Sequence, residues 1–116
     1  MTSPTARTLQ VVRALGCYAS VEETWDHYQK RRRDLLGFID ILVLCPPTAI
    51  GIQATTGGNV SARVKKICTQ RSNEARYWLN CSGRIEVWGW KKYAKPVNGK
   101  RWRPRIVDIT LADLDP

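Results

Sequence analysis

The chain has one histidine, one phenylalanine and one methionine, and none of its four cysteines stands in a CxxC pair. With a single histidine, His27, and the wide spacing of Cys17, Cys45, Cys68 and Cys81, the ligand pattern of a structural zinc site is missing. The thiols are therefore expected to be reduced and partly buried. No apolar run approaches the ~20 residues that span a bilayer. The opening stretch MTSPTARTLQ lacks the charged-then-apolar pattern of a secretory leader. Both absences lead to the expectation of an intracellular, cytoplasmic protein. Acid is scarce too: between residues 61 and 107 only Glu74 and Glu86 are acidic.

That scarcity leaves a net charge of +9 and a pI near 9.8. A surface of this sign favours a polyanion, DNA or RNA before an anionic membrane. A basic face that is merely solvated is the alternative. The length of 116 residues suits one domain with one core.

Ser3-Pro4 is a helix start, and Leu9, Val12 and Leu15 follow near helical spacing up to Gly16, so a helix is expected over about residues 4–15. Residues 17–25 (CYASVEETW) have no helical period and read as a strand, followed by a basic connection, HYQKRRR. Two runs rich in Ile, Leu and Val, about 34–44 and 48–55, flank Pro46-Pro47 and predict an antiparallel hairpin. Thr55-Thr56-Gly57-Gly58-Asn59 then leads into a helix with Arg63, Lys65 and Lys66 outward, capped by Asn59 or Ser61. Another helix is expected over about 72–80. Residues 84–90 (RIEVWGW) read as a strand with Trp88 and Trp90 on one side and Ile85 and Val87 on the other. Residues 91–103 read as a polar loop, 105–110 as a last strand, and the acidic tail as a short turn. Three early strands then form an antiparallel meander, and a helical crossover returns a later strand parallel to an inner one.

Polar groups inside apolar strands are costly unless they are paired or bind something. Asp40 lies in the first hairpin run and Gln53 in the second. Asp40 could instead cap a turn or pair with an arginine of the Arg31–Arg33 run, and Gln53 could be a satisfied core amide. Asp34 reads as a residue opening a strand and paired to arginine. Glu22 and Glu23 read as a surface pair. The Thr-Thr-Gly-Gly turn is either a plain strand-to-helix turn or a place where backbone N–H groups meet a phosphate.

The order helix, three strands, helix, strand, with Gly37-Phe38-Ile39-Asp40 before Gln53-Ala54-Thr55, resembles the PD-(D/E)xK nuclease superfamily of restriction enzymes and archaeal-type Holliday junction resolvases. The resemblance covers about residues 4–110. It implies an α/β fold with a restriction-endonuclease-like αβββαβ core, a central mixed sheet flanked by helices. It also implies a Mg²⁺- or Mn²⁺-dependent endonuclease, cutting DNA and selective for branched structures, in a bacterium or phage-infected cell. By the family pattern Asp40, Gln53 and the Ala54 carbonyl would hold the metal. Gln53 replaces the family glutamate, and Thr55 replaces the lysine that positions the attacking water. The resemblance therefore assigns Lys65 or Lys66 as a migrated lysine, and Glu22 or Glu23, with Glu22 preferred, as the missing carboxylate. The first helix, which supplies an extra acid in some members, has none here. Cutting two strands implies a homodimer. The QxT departure keeps open a second reading, a nuclease-fold protein that only binds nucleic acid. A third is a basic interaction module within a larger nucleoprotein assembly.

The expected DNA contacts are Arg31, Arg32 and Arg33, then Arg63, Lys65 and Lys66, then Lys91, Lys92, Arg101 and Arg103. Such residues grip phosphates without reading sequence. Trp102 lies among the last group, where an exposed ring can stack on an unpaired base. Trp78, Trp88 and Trp90 are expected in the core or at a dimer contact.

Overall fold

In the computed structural model, which describes residues 2–116, one sheet separates two apolar clusters. Helix α1 (Pro4–Ala14) begins where Ser3 Oγ accepts the Ala6 N–H at 3.1 Å, with Pro4 in the first turn. Gly16, at φ 87°, turns the chain into β1 (Tyr18–Val21). Two short strands, β2 (Thr24–Asp26) and β3 (Arg31–Arg33), pair as a separate small hairpin. Then come β4 (Ile41–Cys45) and β5 (Thr48–Thr56), joined through Pro46-Pro47, with Ile41 opposite Ile52. Helices α2 (Val60–Gln70) and α3 (Ser72–Asn80) cross over the sheet. Strand β6 (Gly83–Val97) returns parallel to β5, and β7 (Lys100–Ile109) runs back along it. The sheet order is β1-β4-β5-β6-β7. The expected meander and parallel return are both present, and the chain is α/β with a five-stranded mixed sheet flanked by helices.

Side-chain alternation divides the strands between the two clusters. Ile41, Val43, Ile52, Trp88 and Trp90 face α1, with Val12 and Ala19. Ile85, Val87 and Ile109 face α2 and α3, with Phe38, Ile39, Val60 and Ile67. Full burial of each such side chain stabilises by roughly 1.5–3 kcal/mol. A polar pin adds direction on the α1 side. Trp90 Nε1 donates to Thr8 Oγ1 at 2.9 Å, and that hydroxyl donates to the Pro4 carbonyl at 2.8 Å, fixing α1 against β6.

Several expectations are corrected. Residues 17–25 are not one strand, because the chain leaves the sheet after Val21 and starts the small hairpin. Arg31–Arg33 is the second strand of that hairpin and not an irregular connection. Residues 34–40 are not strand. Leu36 (φ 56°) and Gly37 (φ 82°) fold them into a tight turn that closes through two Leu35–Ile39 backbone bonds. Residues 91–103 are not a loop but a two-stranded ribbon, turned by Asn98 (φ 52°) and Gly99 (φ 74°). Asn59 precedes α2, but its side chain donates to Thr56 Oγ1 at 3.0 Å and makes no cap bond. Finally, Cys17 and Cys45 are not free thiols. They flank the Tyr18–Leu44 pair on adjacent strands, with Cα atoms 4.8 Å apart, and are joined as a disulfide. Cys68 and Cys81 remain free. Among the described residues no helix is long and apolar enough to cross a membrane.

Candidate metal centre

Asp40 immediately precedes β4, so it sits at the sheet end where β5 finishes and α2 begins. Its backbone N–H donates to the Ile52 carbonyl at 3.0 Å, and its own carbonyl accepts the Glu22 N–H at 2.7 Å. These bonds tie the ends of β1, β4 and β5 together at one residue. The Asp40 carboxylate then accepts the Ala54 N–H at 3.1 Å.

Two further carboxylates arrive from outside the sheet. The Leu36-Gly37 turn doubles the chain back, with Gly37 N–H donating to the Asp34 carbonyl at 3.0 Å, and this brings Asp34 against Asp40. Glu23 comes from the link between β1 and β2. Oxygens of Glu23, Asp34 and Asp40 all lie within 4.8 Å of one another. Asp40 is 8% exposed, the others half-buried. The Asp40 carboxyl is pushed up to about 8, by burial above all, then by the Asp34 charge and a hydrogen bond shared with its carboxyl, with a smaller push from Glu23. The Ala54 N–H pulls the other way. Without a cation the site therefore carries a proton at neutral pH, as two carboxyls in contact must.

Gln53 completes the picture. It follows Ile52 on β5 and so turns to the α2 side of the sheet, as does Asp40 next to Ile41. It is 4% exposed, and its Oε1 is buried with no hydrogen-bond partner. A buried amide oxygen left unpaired costs ~1–3 kcal/mol. Three carboxylates this close together are oxygen donors that could hold a hard divalent cation.

The other expected site residues are placed differently. Glu22 is not in the cluster: its Oε1 accepts from Ser20 Oγ at 3.1 Å, and only its backbone serves Asp40. Of the expected pair, Glu23 and not the preferred Glu22 joins the cluster, because β1 ends at Val21 and the chain beyond it turns Glu23 in. Ala54 contributes its N–H. Thr55 is 5% exposed, buried beside Gly89 on β6. Lys65 lines a groove of about 480 Å³ with Asp108, Asp113 and Asp115, at the β7 edge of the sheet, away from the acids. Lys66 is exposed on α2. Asp34 is not paired to an arginine. The arginine run instead meets other acids, with Arg32 on Glu23 at 2.7 Å and Arg33 on Asp26 at 3.7 Å.

Arg71 went unnoticed in the sequence. Its guanidinium packs on Gly37, where a Cβ would stand 2.5 Å from its Nε, and that Nε is buried without a partner. The signal available was Leu36-Gly37, a turn pair inside an apolar run. The Thr-Thr-Gly-Gly turn is explained by packing. A Cβ on Gly57 would come 3.2 Å from the Lys91 Cβ, so this glycine lets the turn lie on β6.

The ribbon carries the basic surface. On its α2 side Arg103 lies 4.0 Å and Lys91 5.7 Å from the Tyr93 ring centre. Lys92 and Trp102 pair on the other side, and Arg101 is at the exposed end. Arg63 is half-buried on α2, and Arg31 is exposed. The ribbon leaves the sheet at the same end as the acids, because β6 is parallel to β5 and runs past Thr56. The small arginine hairpin leaves from β1 at that end too. By strand order the acids lie between the two arms. No protein-family model, curated protein sequence or solved structure matches this chain.

Proposed function

We propose that the chain is a metal-dependent DNA endonuclease with a PD-(D/E)xK-like core. One observation carries the reading: three carboxylates from separate segments converge within 4.8 Å of one another, and the adjoining strand β5 carries Gln53, whose buried Oε1 is unpartnered. The order of one helix, an antiparallel meander, a helical crossover and a parallel strand supports it. Asp40, Asp34 and Glu23 would hold Mg²⁺ or Mn²⁺, with Gln53 as a neutral ligand. When bound, such an ion lowers the pKa of water and neutralises charge on a phosphate undergoing displacement.

The chain's own residues do the rest. The Ala54 N–H fixes the direction of the Asp40 carboxylate. Arg32 holds Glu23 from the solvent side. Lys91 and Arg103 on the ribbon, and Arg31 on the small hairpin, grip the DNA backbone on either side. Two copies of the chain would supply the two sites that cutting both strands requires.

A second reading, a nuclease-fold protein that only binds nucleic acid, is favoured by one observation: Thr55 is buried and Lys65 points to the other edge, so neither offers an amine to the acids. An assay of plasmid, single-stranded and four-way-junction DNA with Mg²⁺ and Mn²⁺ separates the two. Cleavage by the wild type that disappears in Asp40→Ala, with DNA binding kept, supports the endonuclease. Tight junction binding with no cleavage under either ion leaves the binding protein. Removing a negative charge cannot itself weaken phosphate contacts.

A further inference from the structure

The ribbon has two faces, and only one looks toward the acids. Trp90, on the α1 side of the sheet, pairs with Pro104, and Lys92 pairs with Trp102 on that same side. Between this face and α1 runs a groove of about 700 Å³. Its floor is Trp90, held by Thr8. Its walls carry the cations Arg7, Lys100 and Arg101, part of Arg103 also borders it, and no acid lines it. Among the described residues none of these three cations enters an ion pair. Arg7 lies 4.2 Å over the Trp102 ring, and Trp102 stays 38% exposed.

We infer that this groove is a second nucleic-acid site, one that takes an unpaired strand, on the sheet face opposite the acid cluster. The unneutralised cations call for a polyanion. The half-exposed indole, braced by Arg7 from one side, offers a flat surface that any base can stack on and an acidic peptide cannot use as well. A duplex keeps its bases stacked inside and gains nothing from Trp102. The inference rests on the nucleic-acid part of the proposed function and not on its chemistry. A strand held here while a duplex meets the acids would favour branched over linear DNA.

The test uses the full chain carrying Asp40→Asn, in EDTA, so that cleavage plays no part and failure of the nuclease reading cannot be mistaken for failure of this one. The probes are a fluorescent thymidine oligonucleotide of about 12 residues, roughly one binding-site length, and a duplex of equal length, followed by anisotropy. Trp102→Ala should weaken the single strand about tenfold, and Trp102→Phe, which keeps a ring, should restore most of it. Arg7→Gln, at a half-buried position on α1, and Arg101→Gln, at an exposed one, should each reduce the salt slope for the single strand by about 0.7. Duplex affinity should be nearly unchanged by Trp102→Ala. The inference is overturned if Trp102→Ala leaves single-strand affinity intact, if it weakens the duplex equally, or if a glutamate peptide competes as well as the oligonucleotide.

Discussion

The acid cluster and the basic ribbon leave the same end of one sheet and are built on opposite terms. The cluster puts like charges together where water is scarce, at Asp40, 8% exposed. The ribbon spreads its cations over exposed backbone at positions 91–103, with rings between them. Cations on the ribbon keep their water and cost the fold little. Carboxylates at the cluster lose theirs, and the Asp40 carboxyl responds by holding its proton. The buried region could therefore take up one cation. The exposed region offers a diffuse attraction to a polyanion. On the proposed function, chemistry would belong to the first and affinity to the second.

The sharpest way to break this contrast is at the carboxylates. Glu23→Gln and Asp34→Asn should each lower metal-dependent cleavage by about 10–100-fold, the usual cost of disturbing a metal's surroundings, with DNA affinity unchanged or higher. Equal loss of cleavage and affinity would place the acids in folding and not in chemistry. Next in size, Gly37→Ala meets both a positive φ and the Arg71 guanidinium. It should destabilise the chain by ~1–3 kcal/mol in urea unfolding and weaken metal binding, because the turn that delivers Asp34 is distorted. A fully stable variant would mean that the turn is soft.

On the ribbon the expected effects are smaller. Lys91→Gln should reduce the salt slope of duplex binding by about 1 and lower affinity a few-fold, leaving any cleavage at saturating DNA unchanged. A loss confined to the cleavage step would move Lys91 from the affinity region to the chemical one.

Protonation gives a further contrast. The Asp40 carboxyl is raised from 3.8 to about 8, so between those values the folded chain holds a proton that the unfolded chain has released. Its contribution to stability is complete below pH ~4 and is lost as pH rises through about 8. The urea midpoint of the metal-free wild type should thus fall over that window relative to Asp40→Asn, which cannot titrate. Mn²⁺, which binds the deprotonated site, should oppose the fall.

The sequence shows the sheet more readily than the site. The Pro46-Pro47 hairpin, the two crossover helices and the two-sided strand at Trp88 and Trp90 follow from apolar periodicity and turn residues, and the structure has them. The ribbon was hidden because Lys91–Lys95 and Lys100–Arg103 are polar on both faces and carry no period-two apolar signal. Asn98-Gly99 was the cue to pairing. The acids were hidden for another reason. Asp40 stands out as a charge in an apolar run, but Glu23 and Asp34 reach it only through a strand that stops at Val21 and a turn at Leu36-Gly37. Gln53 was visible as an oddity. That its oxygen is left without a partner is a fact of three-dimensional packing.

Whether the acid cluster takes a cation is decided by Mn²⁺ titration followed by calorimetry in two buffers of different ionisation heat. Wild-type protein should bind Mn²⁺ saturably near pH 7, with proton release into the buffer from the Asp40 carboxyl, and Asp40→Ala should lose both. Wild-type protein that takes up no Mn²⁺, or an Asp40→Ala variant that binds it with unchanged affinity and proton release, would contradict a cation site there.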